Sequence, residues 1–113
     1  GRMSFQNITP ISAVAVAAGA ANNPVSVEMD ATLNEILIYV KNLGDSTNLT
    51  VSIESSPDAE GVFRAPLQPC VLNTTVRTVG IPVSIVPAYL WFTATNSDPT
   101  NATTYSVIIS KRA

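Results

Sequence analysis

The sequence predicts an all-β protein, a single antiparallel β-sandwich of Ig-like or jelly-roll type with about seven or eight strands. Three observations carry this. β-branched residues, threonines and aromatics dominate the apolar runs. Prolines at positions 10, 24, 57, 66, 69, 82, 87 and 99 recur too often for long helices. Apolar and polar residues alternate with period two in short segments bounded by Pro, Gly, Asn or Asp.

The first strand is expected over residues 11–18, where Val14 and Val16 share a face, and "GAANNP" turns the chain after it. Residues 25–29 follow, with Val25, Val27 and Met29 alternating against Ser26 and Glu28. "EILIYVKN" sets Ile36, Ile38 and Val40 on one face and Leu37, Tyr39 and Lys41 on the other; apolar on both sides, it reads as a central strand. "NLGDSTN" then leads into "LTVSIES", where Leu49, Val51 and Ile53 alternate with Thr50, Ser52 and Glu54, and these two strands are expected to pair as a hairpin. A short strand over residues 62–64, a longer one in "CVLNTTVRTV" and an alternating segment in "IPVSIVP" come next. The last two strands are "AYLWFTAT" and "TYSVIISK", joined by "NSDPTN". Leu90, Phe92 and Ala94 should face inward and Tyr89, Trp91, Thr93 and Thr95 outward. Ile38, Val51, Ile53, Phe92 and Val107 are expected in the core.

A chain of 113 residues fits one domain with a core that needs neither metal nor disulfide. We divide it into residues 1–10, an N-terminal arm or a cloning remnant ahead of Met3, and residues 11–113, the sandwich. Charged residues make up 12% and hydrophobic residues 46%, the opposite of a disordered composition. The net charge of -2, with Arg2, Lys41, Arg64, Arg77, Lys111 and Arg112 scattered, offers no track for a phosphate backbone, so nucleic acid is not expected as a partner. No run approaches the ~20 apolar residues of a membrane span. "ISAVAVAAGAAN" lacks a basic region before it and reads as part of the fold rather than as a signal core.

Histidine is absent, which removes the commonest general base, the Ser-His and Cys-His pairs and the commonest transition-metal ligand together. The single Cys70 in "LQPCVLN" excludes an intrachain disulfide and a zinc cluster; it reads as a buried inert thiol, the alternative being a bridge between subunits. No catalytic residue, cofactor or metal is expected.

"SIESSPDAEGVFRAP" is the most conspicuous polar stretch. Ser56, Pro57, Asp58 and Gly61 are turn residues, and a turn accounts for them all. A calcium loop on Glu54, Asp58 and Glu60 is the competing reading, but the alternating ligands and terminal bidentate Glu of an EF-hand are missing. Asn7, Asn48, Asn73 and Asn101 open N-X-S/T sequons, which chance supplies readily in so Asn- and Thr-rich a chain. Tyr39, Tyr89, Trp91 and Tyr105 suit core and cross-strand packing; the alternative is a sugar-stacking platform centred on Tyr89 and Trp91. Residues 4–20 carry no charge, and Phe5, Ile8 and Ile11 are candidate contacts for an arm that adds a strand to a neighbouring subunit.

At "LTVSIESSPDAEGVF" and "AYLWFTATNSDPTNATTYSVIISK" the chain resembles small β-sandwich proteins of tailed-bacteriophage particles, through Val51, Ile53, Ser56, Pro57, Asp58, Gly61 and Phe63, then Tyr89, Trp91 and Lys111. It is similar, more weakly, to jelly-roll subunits of bacterial spore surfaces and appendages, which typically carry more cysteines. The resemblance implies a non-enzymatic structural role in the virion, as capsid decoration or as a tail or fibre component, with protein partners: copies of itself in a homo-oligomer, or a capsid or tail lattice. The alternatives are a carbohydrate-binding module and an appendage subunit at the cell or spore surface.

Overall fold

The computed structural model describes residues 5–30 and 35–112. The question of a cloning remnant at residues 1–4 lies outside them. Among the described residues there is no helix, and nine strands form two antiparallel sheets. In chain order these are β1 (Phe5–Val16), β2 (Val25–Glu28), β3 (Glu35–Asn42), β4 (Leu49–Ser56), β5 (Ala65–Pro66), β6 (Cys70–Leu72), β7 (Thr78–Val83), β8 (Tyr89–Asn96) and β9 (Thr103–Arg112). One sheet has the order β1-β9-β3-β7; the other runs β2-β8-β4-β5, with β6 also paired to β4.

The pairing is that of a long hairpin folded on itself: β1 lies on β9, β2 on β8, β3 on β7, and β4 on β5 and β6. Rolling such a hairpin so that β3 meets β9 and β4 meets β8 closes two facing sheets, which is the jelly-roll arrangement. The chain reverses at residues 57–64, the tip of that hairpin.

Alternation does the work of placing the core. Ile36, Ile38, Val40, Tyr105, Val107 and Ile109 from one sheet meet Leu49, Val51, Ile53, Leu90, Phe92 and Ala94 from the other, all buried. The five residues expected in the core are all there, β3 is an interior strand, and Leu90, Phe92 and Ala94 face inward.

Three expectations need correction. β3 and β4 do not form a hairpin: β3 is flanked by β9 and β7, β4 by β8 and β5/β6, and residues 43–48 cross between the sheets. Alternation shows that a strand has a buried face, not which strand lies beside it. The segment "CVLNTTVRTV" is broken into β6 and β7, because the Asn73 side chain accepts hydrogen bonds from the backbone N–H groups of Thr75 (2.8 Å) and Val76 (2.6 Å) and turns the chain. Residues 62–64 are not a strand, and the described residues form nine strands where about seven or eight were expected. Val14 and Val16 do share a face, opposite the buried Tyr105 and Thr103, although Val14 is 38% exposed where Val16 is buried. The register of β1 against β9 shifts between Ile8 and Ile11 and again between Ile11 and Val14, with Ala13 at φ 48°. A bulge of this kind changes which parity faces the core.

Candidate functional site

Phe5–Val16 forms the edge strand of its own sheet, so the boundary expected at residue 11 falls inside a continuous element. Ile8 packs against the core and Ile11 is 1% exposed, which removes both from the set of free partner contacts; the Phe5 side chain lies outside the described residues. What β1 offers a neighbour is its outer backbone edge, interrupted by Pro10 and the bulge, two features that blunt an edge.

At one end of the sandwich, where the chain crosses between sheets, buried polar side chains interlock. Asn42 donates from Nδ2 to the carbonyls of Ser46 (3.0 Å) and Asn73 (3.1 Å), and its Oδ1 accepts from the Thr103 hydroxyl (2.6 Å). The Ser46 hydroxyl donates to Asn96 Oδ1 (2.6 Å). Asp98 Oδ2 accepts from the Thr47 N–H (3.0 Å), the Thr47 hydroxyl (2.9 Å) and Asn101 Nδ2 (3.1 Å). Its Oδ1 accepts from the N–H groups of Thr100 (2.9 Å) and Asn101 (3.0 Å). These donors, the Thr47 N–H first, hold the Asp98 carboxyl well below the usual carboxylate range. Among the described residues no buried side-chain polar atom lacks a partner, so this cluster is a clamp with no spare group for a ligand.

At the hairpin tip, "SSPDAEGVFR" turns the chain and holds it rigidly. Asp58 Oδ2 accepts from the Val62 N–H (2.6 Å) and Oδ1 from the Phe63 N–H (3.2 Å), which lowers its pKa, the Val62 bond contributing most. Gly61 takes φ +70°, and a Cβ there would sit 2.7 Å from Trp91 Cζ2, so both the turn and the contact require glycine. Trp91 Nε1 donates to the buried Ser56 hydroxyl (2.8 Å), which donates in turn to the Asp58 carbonyl (2.8 Å). The Arg64 guanidinium lies over the indole, 4.9 Å from the ring centroid. The loop is thus strapped to the outer face of β8. Val62 and Phe63, 77% and 71% exposed, project from it.

These contacts bear on two sequence readings. The Asp58 carboxylate is spent on backbone N–H groups, and no group of three or more acidic or cysteine side chains able to hold a metal occurs among the described residues. The four aromatics do not converge: Tyr105 is in the core, Tyr39 is on the outer face of the other sheet, and Trp91 lies under Arg64 with Gly61 packed close to its Cζ2. Tyr89, half-buried, precedes Trp91 on the outward face of β8. A Tyr89/Trp91 ligand platform gives way to a tryptophan that anchors a loop.

Cys70 is 1% exposed, and burial pushes its thiol up to about 11. It is buried, as expected, and a thiol so enclosed is poorly placed to react or to bridge two subunits.

The outer face of the β1-β9-β3-β7 sheet is the remaining feature. Tyr39, Leu43 and Ile108, 41%, 42% and 38% exposed, line a shallow groove of about 550 Å³ with Lys41, Thr78 and Ser106. Sequence reasoning placed Tyr39 and Lys41 on the second face of β3 but missed the groove, which exists only because β9 and β7 flank that strand. It also missed Phe63 as an exposed group; an aromatic set between a Gly turn and an Arg was the available signal.

No protein-family model matches the chain, and no curated protein matches it. Solved structures do match. A chain of the Bacillus endospore appendages, described as a novel family of disulfide-linked pili, superposes with a TM-score of 0.52 at 14% identity, covering 98% of this chain and 90% of that one. A chain of infectious bursal disease virus, Gx strain, superposes with a TM-score of 0.50 at 12% identity over 99% of this chain; it is about three times longer, and 32% of it is covered. At these identities the likeness establishes the shared β-sandwich fold.

Proposed function

We propose that this protein is a non-enzymatic structural subunit that assembles through protein–protein contacts, as a component of a virus particle: a capsid decoration or part of a tail or fibre. The observation that carries the reading is the hairpin tip. A loop whose backbone is fixed by hydrogen bonds among Ser56, Asp58, Val62, Phe63 and Trp91 presents exposed Phe63 and Val62 as an apolar contact at little further backbone ordering cost, as interface anchors do. The two carboxylates with depressed pKa values, Asp58 and Asp98, are saturated by hydrogen-bond donors and so are poorly suited to proton transfer near neutral pH. The fold shared with a viral chain and an appendage chain supports a subunit role outside the cell.

The second reading is a subunit of a surface appendage, favoured by the match along nearly the whole of both chains. Cys70 separates the two: buried and raised in pKa, it gives no disulfide link, so contacts between subunits would be non-covalent. Mass spectrometry of purified virus particles and of sheared surface appendages from the source tests the proposal. Enrichment in virions supports it, enrichment in appendages moves it to the second reading, and confinement to the cell interior refutes both.

A further inference from the structure

The exposed apolar tip and the exposed apolar groove lie on opposite faces of the sandwich. The tip, residues 57–64, is strapped over the outer face of β8 through Gly61, Arg64 and Trp91. The groove is on the outer face of β3 and β9, on the far side of the core. A surface that pairs with a different surface of its own kind forms a head-to-tail contact, which leaves one tip and one groove free at the ends and propagates.

The two are matched in chemistry. Phe63 and Val62 are a ring and a branched aliphatic, both largely in water; the groove offers Tyr39, Leu43 and Ile108 around a space of about 550 Å³, ample for both. They are matched in charge as well. The charged residue lining the groove is Lys41, exposed, while the tip carries the exposed Glu60 beside Val62 and Phe63; its one cation, Arg64, is turned back onto Trp91. We infer that the hairpin tip of one copy docks in the groove of the next, with Phe63 and Val62 against Tyr39, Leu43 and Ile108 and Glu60 facing Lys41. The proposal rests on the subunit role given above and names the partner as a second copy of this chain.

A tip entering a shallow groove buries less surface than a standard stable interface, so a single contact is weak and association depends on concentration. The sandwich is 19 Å through its thinnest direction, which sets the scale of the rise per copy in a stack joined face to face.

Sedimentation velocity over a concentration series, with thermal melts to show that every variant is folded, tests this. The wild type should form a ladder of oligomers. Phe63→Ser, at an exposed position, should weaken association about tenfold or more. Lys41→Glu should weaken it through repulsion from Glu60, and Lys41→Glu combined with Glu60→Lys should restore it. A mixture of Phe63→Ser, which keeps its groove, with Lys41→Glu/Ile108→Glu, which keeps its tip, should stop at one-to-one dimers. Oligomers of Phe63→Ser as strong as those of the wild type overturn the contact, as does a charge swap that fails to restore association. A wild type that remains monomeric at millimolar concentration overturns self-docking altogether. None of these results changes which purified particle contains the protein, so the broader reading stands or falls on its own measurement.

Discussion

Replacing Asn96 by Ala removes the side chain that joins three segments at the polar end of the sandwich. Asn96 is fully buried; its Oδ1 accepts from the Ser46 hydroxyl (2.6 Å) and the Asp98 N–H (3.1 Å), and its Nδ2 donates to the Asn101 carbonyl (2.9 Å). Two further contacts, to the carbonyls of Val16 and Ala17, are long at 3.4 and 3.3 Å and contribute little. Truncation therefore orphans one buried hydroxyl, one N–H and one carbonyl. Each orphan costs about 1–3 kcal/mol, and with a water re-entering the small space left by the amide the loss should total about 3–5 kcal/mol. Against the roughly 5–15 kcal/mol available to a domain, this is enough to threaten folding at body temperature. Urea unfolding followed by fluorescence of Trp91, the sole tryptophan, measures it: the midpoint should fall with the slope unchanged. Ser46→Ala should cost less on the Asn96→Ala background than on wild type, because the two side chains share one hydrogen bond and the pair is coupled. A loss below about 1 kcal/mol for Asn96→Ala would refute the view that this cluster clamps the sheets together.

Three other outcomes are expected. Ile53→Ala, at a site 1% exposed between the sheets, should cost about 2–5 kcal/mol in the same unfolding assay, whereas Asp58→Ala in the surface loop should move the midpoint far less, and calcium should not raise the melting temperature of either. Asp98 has a folded pKa below its unfolded value, so its contribution is fully present above about pH 4 and is lost as pH falls further; melting temperature should drop in that range, and less steeply in Asp98→Asn. Cys70, buried and pushed up to about 11, should resist a thiol reagent at pH 8 until denaturant is added, and Cys70→Ala should assemble as the wild type does.

The strands were legible in the sequence where one face is apolar and the other is not. Leu49, Val51 and Ile53 or Leu90, Phe92 and Ala94 announce their inward faces by alternation alone. Pairing was not legible, since period two is the same whichever neighbour a strand takes; the mistaken hairpin of β3 with β4 came from nearness in sequence. The breaks at Asn73 and Ala13 were hidden for a different reason. Each turns on one side-chain or one backbone angle, and neither disturbs composition. The polar clamp reads as ordinary loop sequence because Asn42, Ser46, Asn96 and Asp98 are buried only once both sheets are in place. An uncharged N-terminal stretch reads in the sequence as a strand in search of a partner, and here much of that demand is met by β9 of the same chain.

That pairing of β1 with β9 sets Phe5 directly opposite Arg112. Residues 5 and 112 thus lie side by side at one end of the outermost strand pair, so segments attached at these two positions start from neighbouring points. A short linker between the two would close the backbone into a ring, and new ends could then be opened in another surface loop without undoing a single strand. The protein is in this sense a bead with one attachment eyelet: it can be spliced into a loop of a larger host, or carry cargo at that eyelet, while both its faces stay bare.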